Sequence, residues 1–233
     1  MDRKIFSKKY SRVYQPLIER IFAEESAKYE KEKEIIKAVK NRLHMIYGAF
    51  REASSQASNE RQEFIREFYS FISDVSKDVR SVLDIGCGSD PFALPVMLEF
   101  MPNIEIYHAF DIDTELAESI NEYFSSLNLP QCAGCMDIIT ETPSQTADIA
   151  FLFKIIPTVE SCKKGRGFEI INSINAKYLA VSFPTKTLCG KNKGMAENYA
   201  AFFEKNLDYE KFDISGKNFF KNELVYVIAR KSY

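Results

Sequence analysis

The sequence has few of the side chains that metal sites and disulfide frameworks require. It contains two histidines and five cysteines among 233 residues, and the one close cysteine pair, Cys132 and Cys135, is remote in sequence from His44 and His108. A structural zinc site needs four ligands. An odd number of cysteines without regular spacing is typical of reduced thiols. We therefore expect no metal and a cytoplasmic chain.

Long apolar segments are also absent. No uninterrupted run approaches the ~18 residues of a membrane span. The amino terminus, "MDRKIFSKKYSRVY", carries positive charge but no apolar segment behind it, so the sequence predicts no secretory signal. With 45% hydrophobic residues, the composition is that of an ordinary globular chain rather than a membrane or disordered one.

The net charge of the sequence is small, but the charged residues are unevenly distributed. The net charge is -2, yet residues 1–80 hold 17 Lys and Arg against 13 Asp and Glu, whereas residues 81–233 hold 14 against 20. The overall value argues against a generic nucleic-acid binder, and we expect neither a DNA nor a membrane partner. The asymmetry fits either a basic docking region on an acidic domain or a solvated helical face.

The hydrophobic period changes near residue 80. Before it, apolar residues recur at helical spacing, as in the stripe of Ile35, Val39, Leu43 and Ile46. After it, short runs such as "SVLDI", "IEIYHAFDI", "DIAFLF" and "KYLAVSF" alternate with helix-length segments, a pattern typical of a parallel sheet with crossover helices.

The end of the chain breaks this alternation. "YEKFDIS" and "ELVYVIAR" are separated only by "GKNFFKN", which leaves no room for a crossover, so the two strands must pair antiparallel. The sequence therefore predicts an α/β fold of the Rossmann-like class I type found in S-adenosylmethionine-dependent methyltransferases, with a mostly parallel seven-stranded sheet that ends in an antiparallel hairpin. We expect a helical docking region at 1–57 and the methyltransferase domain at 58–233.

A glycine turn follows the first strand, at "DIGCG" (84–88). A dinucleotide fingerprint would need a third glycine where Pro91 stands, so a pyrophosphate ligand is disfavoured. S-adenosylmethionine carries no phosphate and needs acceptors instead. Asp84 is a candidate for the methionine ammonium, Asp111 for the ribose hydroxyls and Asp137 for the adenine amino group. Asp113 is either an alternative ribose ligand or the cap of the next helix.

Ordered blocks over residues 58–233 resemble the Arm/Rmt family of aminoglycoside-resistance methyltransferases, which modify N7 of a guanine in the decoding region of 16S rRNA within the small ribosomal subunit. The blocks are "SNER", "VLDIGCG", "YHAFDID", "FLFKIIP", "SFPTKTLCGKNKGMAENYAAFFE" and "NELVYVI". The resemblance implies a cofactor, S-adenosylmethionine, and a partner, 16S rRNA. We expect a monomer.

The resemblance also implies roles for individual residues. Arg61 would bind the methionine carboxylate, for which a guanidinium is suited. Lys154 and Lys186 would act at the methyl acceptor. The residues that match the family's cofactor site are Asp84, Gly86, Gly88 and Asp111, and we also expect Ile112 and Asp137 to contact the cofactor. The expected RNA contacts are Lys186, Lys191 and Lys193 of the loop, with Lys37 and Lys40 of the amino-terminal region bound to phosphates. One departure is that only "REASSQA" separates "LHMIYGAF" from "SNER", where family members carry a longer helical region; this bears on the RNA target.

Guanine N7 carries a lone pair and no proton, so its methylation needs no general base and no catalytic dyad. Several aromatic residues are candidates to stack on the base: Phe110, Tyr199, Phe202 and Phe203. Three other functions remain open from the sequence: methylation of another RNA or of a small molecule, a non-catalytic binding module, and an NAD-dependent enzyme. The lysine-rich loop argues against a small apolar acceptor, and Pro91 argues against NAD.

Overall fold

The computed structural model describes residues 10–48, 61–185 and 194–231. Lys186, Lys191 and Lys193, the "SNE" of "SNER" and the linker "REASSQA" lie outside these residues. The helices are α1 (Gln15–Ser26), α2 (Glu32–Leu43, continued by the π-helical turn His44–Gly48), α3 (Ile65–Val75), α4 (Leu94–Phe100), α5 (Thr114–Ser126), α6 (Ile156–Cys162), α7 (Arg166–Ser173) and α8 (Met195–Asn206). Short 3-10 turns, Gln62–Phe64 and Asp90–Ala93, precede α3 and α4.

Seven strands form one sheet in the order β3-β2-β1-β4-β5-β7-β6. They are β1 (Ser81–Ile85), β2 (Ile106–Asp111), β3 (Ala133–Cys135), β4 (Thr146–Phe153), β5 (Asn175–Pro184), β6 (Phe212–Phe220) and β7 (Glu223–Arg230). Strands β1 to β5 run parallel to one another, and β7 lies antiparallel to both β5 and β6. This confirms the predicted fold, including the final hairpin.

One detail of that hairpin was wrong. The segment "GKNFFKN", expected to link the two strands, mostly belongs to β6, which continues to Phe220 and leaves only Lys221 and Asn222 for the turn. A register shift between Ile214 and Gly216 interrupts the alternation of inward and outward side chains, which is why the sequence pattern hides the strand's second half.

The core lies on both faces of the sheet. One cluster packs α6, α7 and α8 against one face, and a second, rich in aromatic rings, packs α3, α4 and α5 against the other. The helices α1 and α2 form a separate cluster that includes the predicted stripe of Ile35, Val39, Leu43 and Ile46, all buried. Over residues 10–48, 61–185 and 194–231, no helix is both long and apolar enough to cross a bilayer.

Candidate active site

The parallel strands β1, β2 and β4 end at one edge of the sheet, where ligands bind in open α/β folds. Gly86 and Gly88 follow β1 with φ angles of +67° and +50°, which favour glycine. A Cβ on Gly86 would lie 2.9 Å from Cδ1 of Ile155. The turn therefore needs glycine for both its conformation and its close approach to the segment after β4.

Asp84 is buried at the end of β1 with one oxygen unsatisfied. The Tyr107 hydroxyl donates to Oδ2 at 2.7 Å, whereas Oδ1 is buried without a hydrogen-bond partner. Burial raises the pKa of Asp84 well above its usual value, and the charge of Asp90 adds to the effect. A buried acceptor oxygen normally accepts a hydrogen bond. An ammonium group or a bridging water would supply the donor that Oδ1 lacks.

Asp111 is held as an acceptor at the end of β2. The backbone N–H of Gly88 donates to Oδ2 at 3.0 Å, and those of Ile112 and Asp113 donate to Oδ1. Burial raises the pKa of Asp111, and these backbone donors partly offset that rise. The neighbouring Asp113 caps α5, because its Oδ1 accepts from the backbone of Glu115 and Leu116. Of the two roles considered for Asp113, a ribose ligand or a helix cap, the structure shows the helix cap.

A cavity of about 490 Å³, part of it open to solvent, lies beside these residues. Its lining includes four predicted cofactor residues, Gly86, Asp111, Ile112 and Asp137, amid mainly apolar neighbours. Asp137 is paired there with Arg20 of α1, whose Nε lies 2.5 Å from Oδ2. A largely apolar cavity with a few polar groups is typical of a small-molecule site.

Arg61 lies outside this cavity, in a buried ion-pair network. Its Nη2 is 2.8 Å from Oε1 of Glu223, and its Nη1 is 2.5 Å from Oδ1 of Asp90. The guanidinium also lies over the rings of Phe68 and Phe153, 4.6 and 4.8 Å from their centroids. Burial lowers the pKa of Arg61, but Asp90 and Glu223 more than offset this and raise it well above its usual value.

Lys154 joins the same network. Its Nζ lies 3.2 Å from Oε2 of Glu223, while the Ser182 hydroxyl donates to Oε1 at 2.6 Å. Burial raises the pKa of Glu223, but Arg61, Lys154 and the hydrogen bonds outweigh it, so the pKa is lowered. Lys154 also has an unusual φ of +57° for a residue other than glycine, a strain typical of functional sites.

Sequence reasoning missed the acidic partners of this network. Asp90 follows the glycine turn in "GSDPF", and Glu223 opens the apolar strand "ELVYVIAR". An acid at the start of a buried strand was the available signal, because such a group needs a partner. Glu223 joins Arg61 and Lys154, and the charge of Arg61 also acts on Asp84. Lys37 and Lys40 lie apart from them in the sequence, on α2.

The aromatic candidates differ in their surroundings. Phe203 is fully buried against Phe183 and Tyr226, so it is a core residue. Phe202 packs edge to face on Phe168, and Tyr199 stacks on Phe183 with ring centroids 5.2 Å apart. Phe110 lines the cavity. Within the part of the chain that the structure describes, no group of three or more His, Cys, Asp or Glu side chains is placed to hold a metal ion.

The sheet order, the glycine turn and the acids at the strand ends together define a Rossmann-like methyltransferase of the class I type. Residues 51–227 match the model of the family described as "Ribosomal RNA methyltransferase (FmrO)". The chain belongs to this family. Its membership confirms the resemblance to the Arm/Rmt enzymes noted in the sequence.

Individual relatives support this family assignment. The chain is 30% identical to a 16S rRNA (guanine(1405)-N(7))-methyltransferase of Serratia marcescens, over 96% of this chain and 94% of the relative. The 16S rRNA methyltransferase RmtF, solved in complex with S-adenosyl-L-homocysteine, superposes with a TM-score of 0.83 at 27% identity and covers 99% of this chain and 100% of its own. RmtB superposes with a TM-score of 0.80 at 27% identity, covering 97% and 94%.

Proposed function

We propose that this protein transfers a methyl group from S-adenosylmethionine to N7 of a guanine in the decoding region of 16S rRNA, within the small ribosomal subunit, as an aminoglycoside-resistance enzyme. We further propose that it acts as a cytoplasmic monomer. The observation that carries the proposal is the match, over nearly the whole chain, to an enzyme named for N7 methylation of guanine 1405.

The residues at the carboxyl ends of the strands fit the cofactor. When bound, S-adenosylmethionine supplies a methyl group on a positively charged sulfur. Asp84, whose buried Oδ1 lacks a partner, would accept from the ammonium group, and Asp111 would accept from the ribose hydroxyls. The positive φ angles of Gly86 and Gly88 let the backbone pass close to the ligand. Ile112 and Asp137 would lie against the adenine.

Arg61 would bind the methionine carboxylate with donors that Glu223 and Asp90 leave unused. A guanidinium has five N–H donors, and three of them serve these two acids. Because both acids hold the guanidinium in place, Arg61 is positioned before the ligand arrives. Such preorganisation reduces the cost of binding.

Methylation at guanine N7 requires no general base. This atom has a lone pair and no proton, so no side chain has to remove a proton from it. The chain's contribution is to hold the base against the methyl group, an effect worth up to about 7–11 kcal/mol. Lys154, fixed by Glu223 at the end of β4, is suited to donate to an acceptor atom of the base and to orient it.

The RNA is proposed to contact two lysine groups. Lys37 and Lys40 would meet phosphates from the docking region at 1–57, and the loop after β5 would supply Lys186, Lys191 and Lys193, with Lys186 also near the acceptor. The domain at 58–233 would carry the reaction. Phosphate contacts of this kind would make binding sensitive to salt.

Methyl transfer from radiolabelled S-adenosylmethionine to three acceptors tests the proposal: intact small subunits, naked 16S rRNA and total tRNA. We expect label in the intact subunits and little in the other two. Label in tRNA alone would favour another RNA target, and cofactor binding with no labelled RNA would favour a small-molecule acceptor. Either of these results would overturn the proposed substrate.

A further inference from the structure

The cofactor cavity has a wall that comes from the amino-terminal helices. Leu17 of α1 and Ile46, in the π-helical turn after α2, line it together with residues of the sheet edge. Leu17 is 1% exposed and Ile46 8%. Both belong to the apolar cluster of α1 and α2, against which Ile112 also packs. The region expected to dock on RNA therefore also encloses the candidate adenine side of the cavity.

This wall is fixed to the segment that follows Asp111. The backbone of Val13 forms an antiparallel bridge with Asp113, and the Tyr14 N–H donates to the Ile112 carbonyl at 2.8 Å. The Tyr47 hydroxyl donates to Oδ2 of Asp113 at 2.6 Å. Residues just before α1 and in the turn after α2 thus hold the backbone next to the ribose candidate.

Arg20 makes a charged contact from this wall to the cavity's lining. Its Nε and Nη2 lie 2.5 and 3.3 Å from Oδ2 and Oδ1 of Asp137, which is 2% exposed. The Ile139 N–H donates to Oδ1 at 3.2 Å. A carboxylate offers about four acceptor sites, so Asp137 keeps one for a ligand. The paired donors of the guanidinium fix the orientation of that carboxylate.

We propose that α1 and α2 form the adenine wall of the cofactor pocket and that Arg20, acting through Asp137, is a positioning residue that selects a 6-aminopurine. This inference rests on the proposed cofactor. An adenine amino group donates to the carboxylate. A 6-oxopurine presents an oxygen there instead, which has no proton to donate to the carboxylate.

Removal of Arg20 takes away the two guanidinium donors that hold the Asp137 carboxylate. The carboxylate is then free to turn away from the orientation in which it accepts from a 6-amino group. Selectivity between the two purines then falls even where the pocket keeps its shape. Arg20→Lys keeps the charge but not the planar fork of donors, so it recovers part of the selectivity.

Calorimetric titration with S-adenosylhomocysteine and S-inosylhomocysteine tests this, because the second ligand has an oxygen in place of the 6-amino group and a proton on the adjacent N1. The unmodified full chain is expected to prefer the adenine ligand by about 10-fold or more, as for a hydrogen bond to a charged group. Arg20→Ala is expected to bring the ratio close to one, and Arg20→Lys to give an intermediate ratio. The matched control is Arg42→Ala, which breaks the ion pairs to Glu24 and Glu25 within the same helix pair and should leave the ratio unchanged.

The outcomes separate the two proposals. An unchanged ratio in Arg20→Ala, with the adenine ligand still bound, overturns the role of Arg20 and leaves the cofactor in place. An equal loss of selectivity in Arg42→Ala also overturns it, because the effect would then belong to the stability of the helix pair. Failure of the unmodified chain to bind S-adenosylhomocysteine overturns the cofactor assignment itself. Circular dichroism of each variant shows that the comparison is between folded proteins.

Discussion

Arg61 and Glu223, 162 residues apart in the chain, form a bidentate ion pair with Nη2 to Oε1 at 2.8 Å and Nε to Oε2 at 3.2 Å. Because Lys154 lies 3.2 Å from the same Oε2, one buried carboxylate joins the arginine expected to bind the methionine end of the cofactor to the lysine expected to meet the base. Glu223 therefore positions both residues.

The first prediction concerns the stability that Glu223 provides. Glu223→Gln leaves Arg61 and Lys154 without their shared counter-charge, and removal of one partner of a buried pair typically costs about 3–5 kcal/mol. We expect a loss near the lower end of that range in urea unfolding, because glutamine still accepts a hydrogen bond. In the control, Glu99→Gln, the lost pair with Arg66 is exposed and should cost less than about 1 kcal/mol. Equal effects of the two substitutions would contradict the buried network.

The same pair predicts a pH dependence. The folded-state pKa of Glu223 lies below its ordinary value of 4.5, so its stabilising contribution is present above that value and is lost as the pH falls through the lower, folded pKa. The difference in unfolding free energy between the unmodified chain and Glu223→Gln should stay constant from pH 7 to about 5 and shrink below 4.5. A difference that grows on acidification would have the wrong sign.

A second prediction separates stability from binding at Asp84. Burial raises the folded pKa of Asp84 well above 3.8, so this group favours folding below pH 3.8 and loses that contribution as the pH rises through its folded pKa. Asp84→Asn should therefore raise the melting temperature of the free protein at neutral pH. It should also weaken S-adenosylhomocysteine binding by about 10-fold or more, because an amide accepts from an ammonium less strongly than a carboxylate does. A variant that loses both stability and affinity would contradict this assignment.

The third prediction uses two glycines with similar backbones and different surroundings. Gly86 and Gly165 have φ angles of +67° and +84°, but a Cβ on Gly86 would lie 2.9 Å from Ile155, whereas one on Gly165 would meet nothing within 4 Å. Each substitution by alanine should cost about 1–2 kcal/mol for the left-handed backbone. Gly86→Ala should cost about 1–3 kcal/mol more because of the added overlap. Only Gly86→Ala should weaken S-adenosylhomocysteine binding in calorimetry. Equal losses of binding in Gly86→Ala and Gly165→Ala would show that the close approach of the turn to Ile155 does not matter for the ligand.

The fourth prediction concerns RNA docking. Charge reversal in the double variant Lys37→Glu/Lys40→Glu should weaken binding to small subunits and reduce the slope of log affinity against log salt by about 0.7–0.9 for each lost phosphate contact. S-adenosylhomocysteine affinity should not change. Lys77→Glu, at an exposed position after α3, serves as the control and makes the same charge change at one position that the double variant makes at two. An unaltered salt slope in the double variant would remove α2 from the docking surface.

The elements that were predictable from the sequence are those whose signal is local. "SVLDI" and "ELVYVIAR" coincide with β1 and β7, because continuous apolar runs bounded by turns specify buried strands. The acids at the strand ends followed from the same runs. The stripe in α2 was predictable because its apolar residues share one helical face.

The rest depends on contacts between distant parts of the chain. Arg20 and Asp137 are 117 residues apart, and no local pattern relates α1 to the segment after β3. Likewise, Arg61 was expected to face a ligand. Its pairing with Glu223 depends on the position of β7 beside β5 in the sheet, which no local pattern predicts. The second half of β6 was missed because a bulge disrupts its alternation.

The most direct test of the account is to find which atom of which nucleotide carries the methyl group. Small subunits are incubated with the protein and S-adenosylmethionine, their 16S rRNA is cleaved chemically at 7-methylguanine, and the cut is located by primer extension, with Asp84→Asn as the weakened control. The account predicts one new cut at a guanine of the decoding region, and a fainter one with the variant. Methylated rRNA without a cut, or a cut outside the decoding region, would contradict it.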